Sequence, residues 1–387
     1  MVGRSLTPGY RGDLNLLSQR DYTRSPARYI RMRVGAIVAF ATAQYHLRAS
    51  FVERNHGERL PGMNIVAMVL AGGAGTRLYP LTANEAKPAL RFASGYRLVD
   101  FVLSNLVNSH ISTIYVLAQY KPESLIKHVT TAWSPGFGEG EGTIKVLLPR
   151  SNTLGGQFKG TADAVYQYLD LLQAHSPDVV AVFAADHVYR MDVRQMLASH
   201  RERKADVTVA AVAVPLRRAS SFGILATAPD GRVREFREKP RHAAPLPSDP
   251  TRAYASMGNY LFDPQTLEEA LHEARRAGET DFGRDILPRL CSSHRVYAYD
   301  FAENRVPGVQ DHEEPAYWRD VGTLAALAAA QQDALANPPR FHLWNRRWPI
   351  RGEGDAGGRA RALPLKSPAP WQAASRDLHS DERLPTS

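Results

Sequence analysis

The sequence has one cysteine and no apolar run long enough to span a membrane, and these absences exclude several classes of protein. Cys291 is the only thiol among 387 residues, so an internal disulfide framework and a thiolate zinc cluster are both excluded. The apolar run at 34–43 is too short to cross a bilayer. We therefore predict no membrane segment and a cytoplasmic protein.

The sequence also lacks a nucleic-acid-binding motif, although its formal net charge is +9. Residues 1–63 contain ten arginines and four acidic residues, and residues 351–387 contain six basic and five acidic residues. The middle of the chain is left with a net charge of only +2. Because no helix-turn-helix, zinc-finger or aromatic-rich RNA motif is present, we predict no nucleic-acid partner.

Composition divides the chain into three regions. Residues 1–63 form an arginine-rich segment that imitates a secretory signal, but the part before its apolar run is too long for one, and we predict a disordered basic leader. Residues 64–336 have the periodicity of a folded domain. Residues 337–387 are predicted to be a linker and an unpacked tail, because the chain beyond residue 350 is rich in Gly, Ala, Arg and Pro without apolar periodicity.

Within 64–336, short apolar runs alternate with helical segments. The alternation predicts an α/β fold with a mainly parallel mixed sheet covered by helices. The predicted strands are 65–71, 113–117, 179–184 and 207–214, with a hairpin of 224–227 and 232–236. The predicted helices are 98–108, 162–173, 193–203, 264–276 and 323–335.

A glycine-rich loop directly follows the first predicted strand. The motif starts with the last two residues of that strand, in Leu70-Ala71-Gly72-Gly73-Ala74-Gly75-Thr76-Arg77, and continues to Lys87-Pro88. Glycines let backbone N–H groups converge on an anion, and Arg77 and Lys87 add positive charge suited to a triphosphate. The spacing matches neither the P-loop nor the Rossmann fingerprint, so the motif predicts a different nucleotide-binding loop.

Two aspartates are candidates for a metal site. Asp186 follows the apolar strand 179–184, at the strand end where ligands bind in open α/β sheets. Asp320, in Trp318-Arg319-Asp320-Val321-Gly322-Thr323, offers a second carboxylate. Nucleotidyl transfer needs a cation beside the phosphates, and Mg²⁺ favours one or two protein carboxylates plus phosphate oxygens. The alternatives are a turn-capping Asp186 and a helix-start signal at Asp320.

Lys239 is the candidate anchor for a sugar phosphate. It follows a predicted strand and precedes Pro240, and the neighbouring Glu238 can accept hydrogen bonds from sugar hydroxyls. Gly223 and Ser256 lie in segments that suit the walls of a sugar pocket. Each of these segments is also compatible with an ordinary turn.

Two further segments open predicted helices, at Gly160 and at Asp281. A helix N-terminus can hold a phosphate or a base, but a structural cap explains both segments equally well. The histidines, including His187, show no metal-ligand spacing.

With these motifs identified, residues 64–350 resemble the catalytic domain of the bacterial glucose-1-phosphate adenylyltransferases. Beyond the glycine loop, the resemblance rests on residues 96–105, Gln119-Tyr120-Lys121, 160–165 and 318–323. It implies a Rossmann-like nucleotidyltransferase core that makes ADP-glucose from ATP and glucose 1-phosphate with Mg²⁺. It also implies a role in glycogen or related α-glucan synthesis.

The resemblance implies roles residue by residue. Asp186 and Asp320 hold the metal, and Arg77 and Lys87 contact the nucleotide phosphates, with Arg77, Lys87 and Asp186 the catalytic set. The remaining nucleotide contacts come from Leu70, Ala71, Gly72, Gly73, Gly75, Thr76 and Gly160. The sugar phosphate meets Phe158, Gly223, Glu238, Lys239 and Ser256.

The chain departs from the family pattern in several places. Ala185 stands where the family has glycine, which predicts strain if that position needs a positive φ. Phe158 replaces a tyrosine, and Asn84 and Glu85 replace basic residues linked to activators. The chain shows no hexapeptide-repeat β-helix after residue 350, so we expect a monomer or weak dimer. The alternatives are another sugar-1-phosphate nucleotidylyltransferase, or a non-catalytic binding remnant.

Overall fold

The computed structural model describes residues 63–93, 95–134, 142–151 and 156–352. The predicted leader up to residue 62 and the tail beyond residue 352 lie outside the described residues. None of the helices within these ranges is long and apolar enough to cross a membrane.

Strands and helices alternate along the described chain. The strands are β1 Ile65–Ala71, β2 Arg91–Phe92, β3 Tyr96–Arg97, β4 Thr113–Ala118, β5 Thr143–Leu147, β6 Val179–Ala184, β7 His187–Tyr189, β8 Val207–Pro215, β9 Gly223–Thr227, β10 Val233–Glu238, β11 Arg252–Phe262, β12 Val296–Asp300 and β13 Trp318–Asp320. The α-helices are α1 Leu98–Asn108, α2 Glu123–His128, α3 Thr161–Tyr166, α4 Leu169–His175, α5 Val193–Glu202, α6 Leu216–Ala219, α7 Pro264–Ala277, α8 Leu287–Ser293 and α9 Leu324–Leu335. Short 3₁₀ turns lie at Thr76–Leu78, Leu81–Ala83, Lys87–Ala89 and Phe301–Glu303, and π turns at Val129–Trp133 and Phe282–Ile286.

Nine of the strands form one mixed sheet. Its order is β10-β9-β11-β6-β1-β4-β5, with β8 pairing to β11 and β12 pairing to β8. The β6-β1-β4-β5 half is parallel, as is the β8–β12 pair. β11 runs antiparallel to β6, β8 and β9. The predicted α/β fold with a mixed sheet is confirmed.

Strands β1, β4 and β6 are near-continuous apolar runs. Their residues are almost all buried, as expected for parallel strands covered on both faces. Side chains of these strands pack in one hydrophobic cluster with residues of α3, α4, α7 and α8. Burial on both faces is why their bounds could be predicted to within one residue.

The predicted helix 162–173 is two helices, because the chain leaves helical geometry at Tyr168 (φ −120°, ψ 22°). The buried amide of Gln167 accepts a hydrogen bond from Arg150 N at 3.0 Å and donates one to Gln157 O at 3.2 Å. These bonds tie the break between α3 and α4 to the neighbouring segment. Hydrophobic periodicity does not reveal side-chain hydrogen bonds of this kind, so the break in the helix could not be predicted from it.

Residues 337–350 pack against the domain, so the prediction that they are a linker is wrong. Phe341, Leu343, Trp348 and Ile350 are each at most 3% exposed. Phe341, Leu343 and Ile350 belong to a second hydrophobic cluster that includes Phe101 of α1. Apolar side chains spaced irregularly can complete a core without forming a helix or strand, and periodicity misses them.

Candidate active site

The carboxyl ends of β1 and β6 meet at one edge of the sheet. The two strands are parallel neighbours, with Leu70 opposite Ala184, and Ala185 N donates a hydrogen bond to Leu70 O at 3.1 Å. The glycine-rich loop leaves β1 here, and Asp186 follows β6. Because ligands of open α/β sheets bind beyond the carboxyl ends of strands, the fold brings these two motifs to the expected edge.

Ala185 fits its position without backbone strain. It is fully buried, its N–H is bonded to β1, and it is not among the residues with positive φ. The expectation of strain was conditional on a positive φ, and that condition is not met. An alanine before Asp186 is therefore no obstacle to the geometry of the site.

Gly75 is the position of the loop that requires glycine. Its φ is +64°, and a Cβ there would lie 2.9 Å from Thr82 Cγ2 and 3.1 Å from Lys87 Cβ. Thr82 Oγ1 donates to Gly75 O at 3.0 Å. A Cβ on Gly73, by contrast, would meet nothing within 4 Å. The backbone of the loop therefore packs against the Lys87 side chain at Gly75, whereas there is free space beside Gly73.

Gln119 connects two predicted site segments, and the residue-based reasoning gave it no role. Its Nε2 donates to Gly72 O at 3.1 Å, and its Oε1 accepts from Phe158 N at 2.8 Å. Gln119 directly follows β4, so its position after a buried strand was the signal that could have identified it. The Phe158 ring itself is buried in the large core cluster.

Asp186 and Asp320 are brought together by a two-stranded ribbon. In the antiparallel pair of β7 and β13, Asp320 lies opposite His187. Ligand atoms of Asp186, His187 and Asp320 all lie within 4.8 Å of one another, close enough to hold one metal ion. His187 Nε2 is 3.6 Å from Asp186 Oδ1. His187 could not be identified as a ligand from its spacing in the sequence, because the opposite carboxylate, Asp320, lies on a strand more than 130 residues later.

Lys87 forms an ion pair at the centre of this cluster. Its Nζ donates to Asp186 Oδ2 at 2.7 Å and lies 3.8 Å from Asp320 Oδ1. Burial raises the pKa of Asp186, but the charges of His187 and Lys87 and the Lys87 hydrogen bond outweigh it and lower the pKa to about 2. Asp186 is therefore ionised throughout the physiological range.

Arg77 lies beside Asp320, across Gly322. A Cβ on Gly322 would lie 3.0 Å from Arg77 Nη2 and 3.2 Å from Asp320 Oδ1. Thr76 and Arg77 are exposed on the Thr76–Leu78 turn, while Leu78 anchors the turn in the core. The predicted phosphate-binding arginine is thus held near the carboxylates with its charge accessible to solvent.

Glu238 ends the hairpin strand β10 opposite Gly223. Its Oε2 lies 2.9 Å from the Cβ position of Gly223 and equally close to that of Gly283. Two glycines from different segments therefore leave room for this carboxylate. Its Oε1 accepts a hydrogen bond from Lys239 Nζ at 2.7 Å.

Lys239 has a left-handed backbone, with φ at +46°. Its N–H donates to Phe222 O at 3.0 Å, and its side chain is largely exposed beside Glu238. A positive φ is costly for a residue with a long side chain. The hairpin end thus holds the predicted anchor in an unusual conformation.

Aromatic rings connect the sugar-pocket candidates with the carboxylates. The Trp318 ring lies 5.0 Å from that of His187 and 5.6 Å from that of Phe222. Ser256 lies on β11 before a register shift, and its Oγ accepts from Gly258 N at 3.1 Å. A Cβ on Gly258 would lie 3.1 Å from Ala184 Cβ, so Ser256 also lies close to the end of β6.

Gly160 and the 281–286 segment pack against each other. Ala162 N and Asp163 N both donate to Thr280 O, and Thr161 Oγ1 donates to Asp281 Oδ2 at 2.9 Å. A Cβ on Gly160 would lie 2.4 Å from Thr280 O. The N-terminal N–H groups of α3 are thus used inside the protein, which favours the structural-cap interpretation of Gly160.

The chain is similar in sequence to proteins of known family. The sequence profile of the nucleotidyl transferase family matches residues 66–337. The chain is 48% identical over 287 residues to the glucose-1-phosphate adenylyltransferase of Thermodesulfovibrio yellowstonii, covering 74% of this chain and 70% of that protein. The proteins of that name from Thermus thermophilus (46%, covering 75% and 71%) and Streptomyces avermitilis (48%, covering 76% and 72%) are similarly related.

Proposed function

We propose that this chain, which belongs to the nucleotidyl transferase family and within it to the glucose-1-phosphate adenylyltransferases, transfers the adenylyl group of ATP to glucose 1-phosphate. The products are ADP-glucose and pyrophosphate, for glycogen or α-glucan synthesis. One observation carries the proposal beyond the family relationship. The glycine loop and the Asp186–Asp320 pair lie beside the carboxyl ends of β1 and β6. The hairpin end reaches toward them through Phe222, whose carbonyl accepts from Lys239 N and whose ring lies 5.6 Å from that of Trp318.

The carboxylate cluster fits a divalent cation, which nucleotidyl transferases in general use. Two carboxylates within 4.8 Å of each other are hard oxygen donors, and we propose that they hold Mg²⁺ together with phosphate oxygens. When bound, Mg²⁺ offsets the negative charge that grows on the α-phosphate and on the departing pyrophosphate. His187 offers an additional nitrogen at the same place.

On the nucleotide side, the loop residues Leu70, Ala71, Gly72, Gly73, Gly75 and Thr76 supply the cradle for the triphosphate. Arg77 and Lys87 add positive charge near the α- and β-phosphates, which stabilises the transition state electrostatically. A phosphate oxygen of glucose 1-phosphate attacks the α-phosphorus as the bond to the β-phosphate oxygen breaks. The pyrophosphate leaves with that oxygen, and no covalent enzyme intermediate is needed.

On the sugar side, Lys239 contacts the phosphate and Glu238 accepts hydrogen bonds from hydroxyls. The Glu238 carboxylate has room between Gly223 and Gly283, and Ser256 lies close to the end of β6. These positions would orient the sugar phosphate toward the carboxylate cluster. Of the earlier predictions, Phe158 and Gly160 have the weakest geometric support, since the ring of one is in the core and the other packs on Thr280.

We also propose that the protein is cytoplasmic, binds no nucleic acid, and is a monomer or weak dimer at micromolar concentration. The small net charge of the middle region supports the second point. Light scattering coupled to size exclusion tests the oligomeric state, and a stable tetramer would refute that proposal.

The test of function is a Mg²⁺-dependent assay of pyrophosphate release with glucose 1-phosphate and each of ATP, CTP, GTP and UTP or dTTP. We expect ATP to be preferred and ADP-glucose to be the product by mass. The matched control is Asp186→Asn, which keeps the shape of the side chain and removes its charge. Preference for another nucleotide would identify a different sugar-1-phosphate nucleotidylyltransferase, and turnover no greater than that of the control would identify a non-catalytic binding protein.

A further inference from the structure

The Lys87 ammonium lies against the two carboxylates that would hold a metal ion. Its Nζ is 2.7 Å from Asp186 Oδ2 and 3.8 Å from Asp320 Oδ1, and these carboxylates are the oxygen donors of the candidate metal cluster. The lysine side chain is only 9% exposed, whereas Asp186 and Asp320 are about a third exposed. The cluster therefore contains a buried cation of its own that faces both candidate ligands.

The backbone fixes Lys87 in this position. The residue begins the short Lys87–Ala89 turn, with Pro88 next, and Lys87 O accepts a hydrogen bond from Leu90 N at 3.1 Å. Gly75 of the phosphate loop packs directly on its Cβ. The side chain is thus within reach of the carboxylates on one side and of the loop on the other.

We propose that in the nucleotide-free protein Lys87 competes with a divalent cation for Asp186 and Asp320, so that the cation binds tightly only when phosphates draw Lys87 toward the glycine loop. The inference rests on the proposed function for the identity of the phosphate ligand. An ammonium group and a metal ion on the same two carboxylates compete for their negative charge, and two cations only a few ångströms apart repel each other. A ligand that removes the lysine from the carboxylates must therefore raise metal affinity, and metal must raise that ligand's affinity by the same factor.

The experiment measures Mn²⁺ binding to the nucleotide-free protein by the EPR signal of free Mn²⁺. Lys87→Met removes the ammonium and keeps the length of the side chain, and we expect at least about tenfold tighter Mn²⁺ binding than in the wild type. Lys87→Arg keeps the charge and should keep the weak affinity. Lys239→Met is the matched control. It also removes one lysine charge, but the ammonium of Lys239 pairs with Glu238 instead of with the two aspartates.

Equal affinity of the wild type and Lys87→Met, or equal gains in Lys87→Met and Lys239→Met, would overturn the proposal. The second result would reveal a general charge effect. A further measurement needs no variant and remains decisive if Lys87→Met fails to fold. Acylation of lysines in the wild-type protein, quantified by mass spectrometry, should increase at Lys87 and not at Lys239 when Mn²⁺ is added.

Unchanged or reduced labelling of Lys87 at saturating Mn²⁺ would contradict the competition. The Mn²⁺ titrations and the lysine labelling are carried out without sugar phosphate, and neither of them detects ADP-glucose. Failure of the competition is thus separate from failure of the proposed function, which the nucleotide panel tests on the same wild-type protein.

Discussion

Gly283 offers a selective way to disturb the proposed sugar pocket, because its missing side chain leaves room for Glu238. A Cβ at Gly283 would lie only 2.9 Å from Glu238 Oε2. The second-nearest atom, Asp281 Oδ1, would be 3.5 Å from that Cβ, which is a normal van der Waals distance. Gly283→Ala therefore requires the carboxylate to move by about 0.5 Å to restore normal contact. The backbone needs no change, since Gly283 is not among the glycines with positive φ.

The expected effect follows from the hydrogen bond that Glu238 is proposed to make to a sugar hydroxyl. A bond to a charged group contributes about 1.5–3 kcal/mol, and lengthening it by about half an ångström takes it beyond ideal geometry. A loss of about 1–2 kcal/mol corresponds to a factor of roughly 5–30. We expect kcat/KM for glucose 1-phosphate to fall by that factor, with KM for ATP and the melting temperature nearly unchanged.

Steady-state kinetics with each substrate varied in turn, together with thermal unfolding, tests this expectation. In a Glu238→Ala background, Gly283→Ala should have no further effect on the sugar phosphate, because both changes act on one carboxylate. Gly223→Ala is the steric contrast, since its Cβ would lie 2.4 Å from Cζ of the buried Phe236 ring and should lower the melting temperature. Equal losses for both substrates in Gly283→Ala, or additive losses in the double variant, would refute the reasoning.

Four further outcomes are expected. Asp186→Asn should lower kcat at least about 100-fold with an unchanged circular dichroism spectrum, because a charge that holds the metal is lost; a variant retaining most activity would refute its role. Lys239→Met should raise KM for glucose 1-phosphate far more than for ATP, while Lys239→Asn, which tolerates positive φ, separates lost charge from backbone strain. Ending the chain at residue 336 should lower the melting temperature by several degrees or prevent folding, because the buried side chains of 337–350 are lost; an unchanged transition would show that they are dispensable. Burial lowers the pKa of His200, whose Nδ1 is hydrogen-bonded to Thr208 Oγ1, from 6.5 to about 4. As the pH drops from 6.5 to 4 the unfolded chain binds the proton before the folded protein does, so the free energy of unfolding should fall by up to about 3 kcal/mol. Urea unfolding at a series of pH values should show a smaller fall in His200→Gln.

The elements that could be predicted from the sequence are those governed by local pattern. β1 and β6 are buried on both faces and read as continuous apolar runs, so their bounds were predicted correctly. Helix α7 has an Asp263 cap that accepts from Thr266 N at 2.9 Å and Gly278 at its end with φ +72°. Caps of this kind are readable from residue type alone.

The contacts that could not be predicted depend on residues far apart in sequence. Asp320 lies beside Asp186 only because β13 pairs with β7, and a three-residue ribbon has too few residues to show a period. Gln119 lies in the loop after β4, where residue type gives no hint of its two backbone partners. Phe341 enters the core from a segment without regular structure, so its burial leaves no periodic trace.

Lys239 shows why the site residues differ in how well their roles can be inferred from position alone. Asp186 is held by an ion pair at the end of a buried strand, so its geometry follows from the sheet. Lys239 instead keeps a positive φ through the hairpin register and one hydrogen bond to Phe222 O, and most of its side chain is in solvent. Because strain of this kind persists only where the surrounding structure imposes it, the left-handed lysine is a stronger indication of a binding role than its ion pair with Glu238, which an exposed neighbour could form anywhere.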